Sequence, residues 1–442
     1  MAKNLGRKNI VWLWSITAAL AGFLFGFDTA VISGAEQAVQ RVWAMSAALH
    51  GLAISSALWG TVLGALAGSI PSDRFGRRPT LIGIGVLYAV SALGTAFAWG
   101  PPSFMVFRFL TGVGVGASSV TTPIYISEIA PPEKRGRLVA MFQFNIVAGI
   151  LCAFFSNWLL GGLGPNDWRL MLGVQVIPAV LYLAAASQIP ESPRWLAVRR
   201  GRMDEARAIL VQSDGANADA VLSAISEEQP RITLGEFFSG RFARPIALAF
   251  LIALFNQLSG INAIIYFAPR IFEMARIGFS GALLASVGIG VTNFIITIVG
   301  VLLIDRMGRR ALMLIGSIGY LVSLGMVAWG FASQHYSLVP GFIFLFIAAH
   351  AIGQGTVIWV YIGEIFPNAA RARGQALGST THWVMAAALT LVMPLLLARL
   401  APAVIFLLFF GMMVLQLLFV LFMMVETRGR SLESVAHALE RA

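Results

Sequence analysis

The chain has 442 residues, of which 58% are hydrophobic and 12% charged. Ordinary soluble domains carry roughly a quarter charged residues, so this composition excludes that class. The formal charge of +11 sits in short stretches between apolar runs, a pattern of membrane topology rather than of a nucleic-acid surface, and the single cysteine, Cys152, excludes a disulfide framework or a thiolate metal cluster.

Apolar runs fall at about 11–33, 47–70, 79–99, 102–127, 136–160, 169–188, 244–273, 279–303, 311–332, 338–364, 371–399 and 402–425. Each is long enough to cross the roughly 30 Å hydrocarbon core of a bilayer, and the longest are expected to tilt or break. The first run is too long for a signal-peptide core and lacks an evident cleavage site, so it is expected to remain as the first span. The Phe- and Leu-rich twelfth run is expected to be lipid-facing packing. Twelve spans put both termini on one side. Placing them in the cytoplasm puts 25 of the 31 Lys and Arg residues there; Arg41, Arg169, Arg270, Arg276 and Arg399 fall on the other side, and Arg108 lies within a span.

The first run reads GFLFGFDTAVISGA from Gly22 to Ala35 and carries one carboxylate, Asp28, in its middle. A carboxylate at that depth costs on the order of 2.5–3.5 kcal/mol on insertion scales, so it must pair or change protonation. Arg108 is the candidate partner. The pair is either permanently ionised and structural, or a group that takes up and releases a proton as the guanidinium moves. Between the sixth and seventh runs, GRMDEARAILVQS spaces Met203, Ala206, Ile209 and Leu210 along one helical face, and a second short helix is expected around Ile232 to Phe238. This segment reads equally as a solvated linker and as a latch.

An internal repeat decides the architecture. SDRFGRRPTL, Ser72 to Leu81, recurs 232 residues later as IDRMGRRALM, Ile304 to Met313, and PIYISEIAPPEKRGR, Pro123 to Arg137, is echoed by WVYIGEIFPNAARAR, Trp359 to Arg373. Two parallel six-span halves follow, as in transporters built around a midplane site. Bases alone would anchor topology; the matched Asp and Gly suit a loop that clamps neighbouring helix ends. In the seventh run Asn256, Gln257 and Asn262 flank Gly260. Amides donate and accept, which fits the neutral hydroxyls of a sugar, although lone amides in spans also serve as helix–helix hydrogen bonds.

Together these motifs resemble the sugar porter branch of the major facilitator superfamily over essentially the whole length. The matches are GFxxGFDTAVISGA at Gly22 to Ala35, DRFGRRP at Asp73 to Pro79, Arg108, PESPRWL at Pro190 to Leu196, NQLSGINAIIYFAP at Asn256 to Pro269, DRMGRR at Asp305 to Arg310, and ETRGRSLE at Glu426 to Glu433 with Val425 where a proline is usual. The resemblance implies an all-α membrane protein with twelve transmembrane helices in two six-helix halves, 1–188 and 244–425. A cytoplasmic helical segment, 189–243, and a tail, 426–442, complete it. It implies a monosaccharide substrate held by Phe23, Gln143, Asn256, Gln257, Asn262, Tyr266, Asn293, Gly355, Trp359, His382 and Trp383, with aromatic faces against the C–H face of the ring. Asp28 resembles the acid of proton-coupled members, where passive animal facilitators carry a neutral residue, so Asp28 and Arg108 are the implied proton-coupling pair. The cytoplasmic gate would comprise Asp73, Arg74, Gly76, Arg77, Glu128, Arg137, Glu191 and Arg194, with Asp305, Arg306, Gly308, Arg309, Glu364 and Arg371 in the second half.

Three positions depart from the family pattern. Asn256 stands where glutamine is usual, His382 where Asn or Gln precedes the tryptophan, and the loop after the tenth run reads RAR in place of RGR. His382 is expected to act as a neutral hydroxyl partner, with a pH-dependent role as the alternative. These departures leave the sugar class intact and its identity open. The expected function is proton-coupled monosaccharide uptake at the cell membrane by a monomer whose partners are the sugar, the proton and the lipid bilayer, without cofactor, metal, nucleic acid or catalytic nucleophile, and so not an enzyme. A passive facilitator is the nearest alternative; a sugar sensor is disfavoured by the short tail.

Overall fold

The computed structural model describes residues 2–131, 134–214, 218–226, 232–430, 434, 435 and 439; the end of the ETRGRSLE motif, and Pro132 and Glu133 before the fifth span, lie outside the described residues. Among the described residues, twelve helices are long and apolar enough to cross a membrane. They are Ile10–Val42, Ala47–Ala67, Arg77–Ala96, Pro101–Ile129, Arg135–Leu160, Asp167–Ala186, Ala243–Tyr266, Phe279–Met307, Arg309–Ala332, Tyr336–Glu364, Asn368–Arg399 and Pro402–Phe422, numbered here as spans 1 to 12. The described elements are all helical, as the composition implies, because a backbone in hydrocarbon must satisfy its own hydrogen bonds.

Three spans break where the sequence supplies a reason. Span 6 consists of Asp167–Gly173 and Val176–Ala186; Pro178 has no N–H to give the Val174 carbonyl, and Gln175 stands at the N-cap of the second piece. Span 7 stops at Leu258 and resumes at Ile261, because Gly260 adopts the left-handed conformation at φ 86°. A third helix, Ala268–Met274, follows it with Pro269 in its first turn. Span 10 is interrupted at Gly353, between Val339–Ile352 and Gln354–Glu364, where the glycine leaves helical geometry at φ −92° and ψ −99°. Span 1 instead runs on past the expected end near Ser33 to Val42, because Glu36 and Gln40 find a partly buried partner in Arg270.

The chain divides into two compact units. The first is Met1–Val31 with Ser56–Ala153 and Arg169–Gln229, the second Ile32–Ser55 with Phe154–Trp168 and Pro230–Ala442. In the first unit, spans 1 and 5 touch backbone to backbone. A Cβ on Gly26 would collide with the Ile146 carbonyl, and one on Gly149 with the Phe23 carbonyl. Small residues permit that approach, which membrane helices use in place of a hydrophobic driving force. Between spans 6 and 7, Pro193–Arg200 is capped by Ser192, whose Oγ accepts from Trp195 N, and is ended by Gly201 at φ 64°. The expected amphipathic helix is Met203–Asp214; Ala206, Ile209 and Leu210 are buried, whereas Met203, in the first turn, is exposed. The second expected helix is the single turn Leu234–Phe237, held by a Thr233–Glu236 capping box.

The repeated loop motif builds the same cradle in each unit. In the first, Gly76 at φ 111° turns the chain between Phe75 and Arg77. Arg77 then forks onto Glu128 at 2.9 and 3.0 Å and reaches Asp73 at 3.1 Å, while Glu191 accepts from the backbone N–H groups of Arg77 and Arg78 at 2.9 and 3.2 Å. In the second, Gly308 sits at φ 91° and Arg309 forks onto Glu364 at 2.9 and 2.7 Å, reaching Asp305 at 3.1 Å. Glu426 takes the N–H groups of Arg309 and Arg310, both at 3.0 Å. Glu426 therefore does for the second unit what Glu191 does for the first, a role its motif alone did not disclose. Of the remaining gate candidates, Arg74, Arg137 and Arg306 are exposed, and Nε and Nη2 of Arg371 are buried without an acceptor among the described residues. Arg194 follows Pro193 on the Ser192-capped helix, beside the first cradle.

The two glutamates differ in their protonation balance. Burial pushes the Glu191 carboxyl up, outweighing the N–H groups of Ser192, Arg78 and Arg77 that oppose it. Burial acts the same way on Glu426, but four backbone N–H bonds, from Arg428, Arg309, Arg310 and Thr427, outweigh it and leave the carboxyl below its ordinary value. A lowered carboxylate contributes stability that is present above its ordinary value and lost as pH falls below that value through the lowered one, whereas a raised one has the opposite sign. Glu426→Gln should accordingly flatten the fall of the thermal midpoint in detergent on acidification, and Glu191→Gln should not. Each cradle glycine occupies a backbone region that is essentially closed to other residues, and a Cβ there would strike the Glu191 or Glu426 carboxylate. Gly76→Ala and Gly308→Ala should each cost about 1–3 kcal/mol and lower the midpoint. Gly201→Ala, which meets open space, should cost less; equal midpoints for all three would contradict the cradle assignment.

Candidate functional site

In the first unit, the middle of span 1 and the first half of span 4 bring Asp28 and Arg108 together. Arg108 Nη1 donates to Asp28 Oδ1 at 2.5 Å, and both side chains are buried. The remaining guanidinium nitrogens, Nε and Nη2, are buried and donate to no atom among the described residues. Buried donors are nearly always satisfied, so these two nitrogens are available to a further acceptor. Gln175, at the break in span 6, faces the Asp28 carboxyl, yet its Nε2 completes no hydrogen bond of ordinary geometry. Gln175 is a site residue that sequence reasoning missed, and its only signal was a lone amide two residues after Gly173 in an apolar run. Phe23 lies a turn before Asp28 with its ring 6.0 Å from that of Phe27, and Gln143 is half-buried on span 5.

The second unit gathers the amides of span 7. Gln257 Nε2 donates to Asn256 Oδ1 at 2.8 Å and Gln257 Oε1 accepts from Asn262 Nδ2 at 2.8 Å, so the helix break at Gly260 brings the three together. Gln257 Nε2 also lies 3.2 and 3.3 Å from the two ring nitrogens of His382 on span 11. An amide nitrogen can only donate, so a ring nitrogen that accepts from it belongs to a neutral imidazole. His382 in turn meets Trp359 with ring centroids 5.2 Å apart and stands edge-on to Trp383 at 4.7 Å. Tyr266 and Asn293 are buried in the same unit, and Asn293 Oδ1 accepts from Thr297 at 3.5 Å. Gly355 lies in the first turn after the Gly353 break, where a Cβ would approach the His350 ring.

Behind these residues runs a buried polar chain that the sequence did not disclose. Asn256 Nδ2 reaches Gln354 Oε1 at 3.4 Å, Gln354 Nε2 reaches Gln416 Oε1 at 2.9 Å, and Gln416 Nε2 reaches Ser317 Oγ at 2.9 Å. Its members are isolated polar letters in spans 9, 10 and 12. Span 12 is therefore not lipid-facing packing throughout, because Gln416 turns one of its faces inward to this chain. Each amide in the chain is paired with another, which fixes their rotamers before any ligand arrives. Groups of His, Cys, Asp and Glu able to hold a metal ion are absent among the described residues.

The arrangement thus offers an apolar bundle with a buried charged pair, a cluster of neutral amides and adjoining indole and imidazole rings. Comparison with known proteins agrees. A family model described as "Sugar (and other) transporter" matches residues 14–439. The chain is 36% identical over 433 residues to a D-xylose transporter of Levilactobacillus brevis, covering 95% of this chain and 94% of that one. It is 33% identical over 442 residues to the arabinose-proton symporter of Bacillus subtilis, covering 97% and 94%. Among solved structures, the inward open conformation of the xylose transporter XylE from E. coli superposes with a TM-score of 0.86 at 28% identity, over 97% of this chain and 99% of that one. The chain belongs to the sugar transporter family, in the sugar porter branch of the major facilitator superfamily, and is a multi-pass membrane transporter rather than an enzyme.

Proposed function

We propose that this transporter takes up a monosaccharide together with a proton by alternating access, with both termini in the cytoplasm. The observation that carries the reading is the buried Asp28–Arg108 pair. An ion pair in that surrounding is costly to assemble and weak evidence for stability, since an apolar pair of equal volume would serve as well. Its retention is intelligible if the carboxyl must exchange partners: ionised when Arg108 faces it, protonated when Arg108 turns away. Arg108 holds Asp28 through Nη1 alone, so a turn of its side chain would break a single hydrogen bond. The names of two relatives, a xylose transporter and an arabinose–proton symporter, support a pentose or related monosaccharide as cargo.

The sugar reading rests on Gln257, Asn262 and their partners. Amides that already bond one another release those bonds to sugar hydroxyls with little net change in hydrogen-bond number, so affinity comes from fit and from ring stacking on Trp359 and Trp383. Neutral His382 extends the same surface. The cradle arginines, Arg77 and Arg309, would hold the cytoplasmic helix ends through these largely buried pairs until the loaded carrier rocks and opens them to water.

Proteoliposomes loaded at higher pH than the medium should accumulate xylose or arabinose above the external concentration, and collapsing the gradient should abolish accumulation. Asp28→Asn should lose accumulation while retaining sugar exchange across the membrane. Equilibration without accumulation in the wild type would instead identify a passive facilitator. Gln257→Ala should lower apparent sugar affinity by about tenfold or more, consistent with roughly 1.5–3 kcal/mol for hydrogen bonds left unmade, without altering the proton response of the residual flux. An unchanged affinity would remove Gln257 from the sugar site.

A further inference from the structure

A second buried carboxylate lies in the second unit, near the loop between spans 1 and 2. Glu36, two turns after Asp28 on span 1, has no solvent exposure. Arg270, on Ala268–Met274, grips it with both arms, Nε to Oε1 at 2.9 Å and Nη2 to Oε2 at 2.8 Å, and also donates to Gln40 at 2.6 Å. On the other side stands His50 of span 2, also without exposure, its Nε2 3.2 Å from Glu36 Oε2 but poorly aligned for a hydrogen bond. The other charges that face Glu36 are Glu273, which accepts from Gln37, and Arg41.

The geometry points to Glu36 as a second proton-binding site, whose protonation unlatches span 1 from the helix that carries Arg270. Two fully buried titratable side chains, Glu36 and His50, beside a partly buried Arg270 are a poor way to stabilise a membrane bundle, and apolar residues would pack there at less cost. A bidentate guanidinium grip exists only while the carboxyl is ionised. Once protonated, Glu36 becomes a hydrogen-bond donor, and His50 Nε2, 3.2 Å away, becomes its acceptor after a small realignment when that nitrogen carries no proton. Protonation thus dissolves the pair without stranding the acid, while Arg270 keeps Gln40. Glu36 is then a positioning residue for the carrier, acting through Arg270 on the separation of helix ends. Only its consequence for flux rests on the proton-coupled transport reading; the latch operates without sugar.

Spin labels at Ala48→Cys on span 2 and Ser280→Cys on span 8, both exposed, in a Cys152→Ala background, test it by pulsed electron spin resonance in sugar-free nanodiscs. Between roughly pH 8 and roughly pH 4, a window that spans the ordinary histidine and glutamate values, the wild-type pairing should gain a longer-distance population. Glu36→Gln should show that population at both pH values and lose the pH response, and His50→Leu should need a lower pH to reach it. Arg270→Lys, which keeps the charge but not the fork, should open partly, and it provides the test if Glu36→Gln fails to fold. Distances that ignore pH in the wild type, or a pH response that survives in Glu36→Gln, would overturn the proposal. Neither result bears on sugar uptake by the intact protein, so a failed latch and a failed transport reading separate cleanly.

Discussion

Much of this structure depends on how a charge is kept inside an apolar bundle. Asp28 can be ionised in the middle of span 1 only because Arg108 meets it there, and Arg108 is tolerable in span 4 only because of Asp28. Each is the other's solvent. Such a pair has few intermediate states: the carboxylate either keeps its cation or takes a proton. Under the proposed proton-coupled transport that restriction would tie proton binding to helix position, and it requires the surrounding spans to be close-packed enough to exclude water. The glycine approaches of spans 1 and 5 provide that packing in the first unit.

The same logic recurs with different stakes at three other places. The Arg77–Glu128 and Arg309–Glu364 forks sit at helix ends and are themselves largely buried, and the backbone-anchored glutamates Glu191 and Glu426 fix the loops around a glycine turn. Glu36, by contrast, is as buried as Asp28 and has both a cation and an imidazole within reach. The neutral end of the scale is the amide chain from Asn262 to Ser317, where orientation is set by hydrogen bonds alone and no charge has to be compensated. Neutral donors and acceptors of that kind suit an uncharged polyol, whose hydroxyls need hydrogen-bond partners and no counter-charge.

The twelve spans, the repeat and the Asp28–Arg108 pair were legible in the sequence because each violates a background. Apolar runs stand out against charge, and one carboxylate stands out in an apolar run. The break at Gly260 was foreshadowed by a glycine between polar residues. The polar end of span 1 was not legible: Glu36, Gln37, Gln40 and Arg41 look like a loop until Arg270, 234 residues away, is seen to bury one of them. Gln175, Gln354 and Gln416 escaped notice because a single amide in a span carries no periodic signal and its meaning lies in its partner. Glu426 belonged to a recognised motif, but its equivalence to Glu191 appears only when both are found capping the same turn.

The most direct measurement of the central claim is the proton itself. Xylose or arabinose added to de-energised proteoliposomes in weakly buffered medium should produce a transient alkalinisation that scales with the sugar taken up, and Asp28→Asn should take up sugar down its gradient with no such signal. Sugar uptake without alkalinisation in the wild type, or an alkalinisation that persists in Asp28→Asn, would contradict the account, leaving the Asp28–Arg108 pair a structural one.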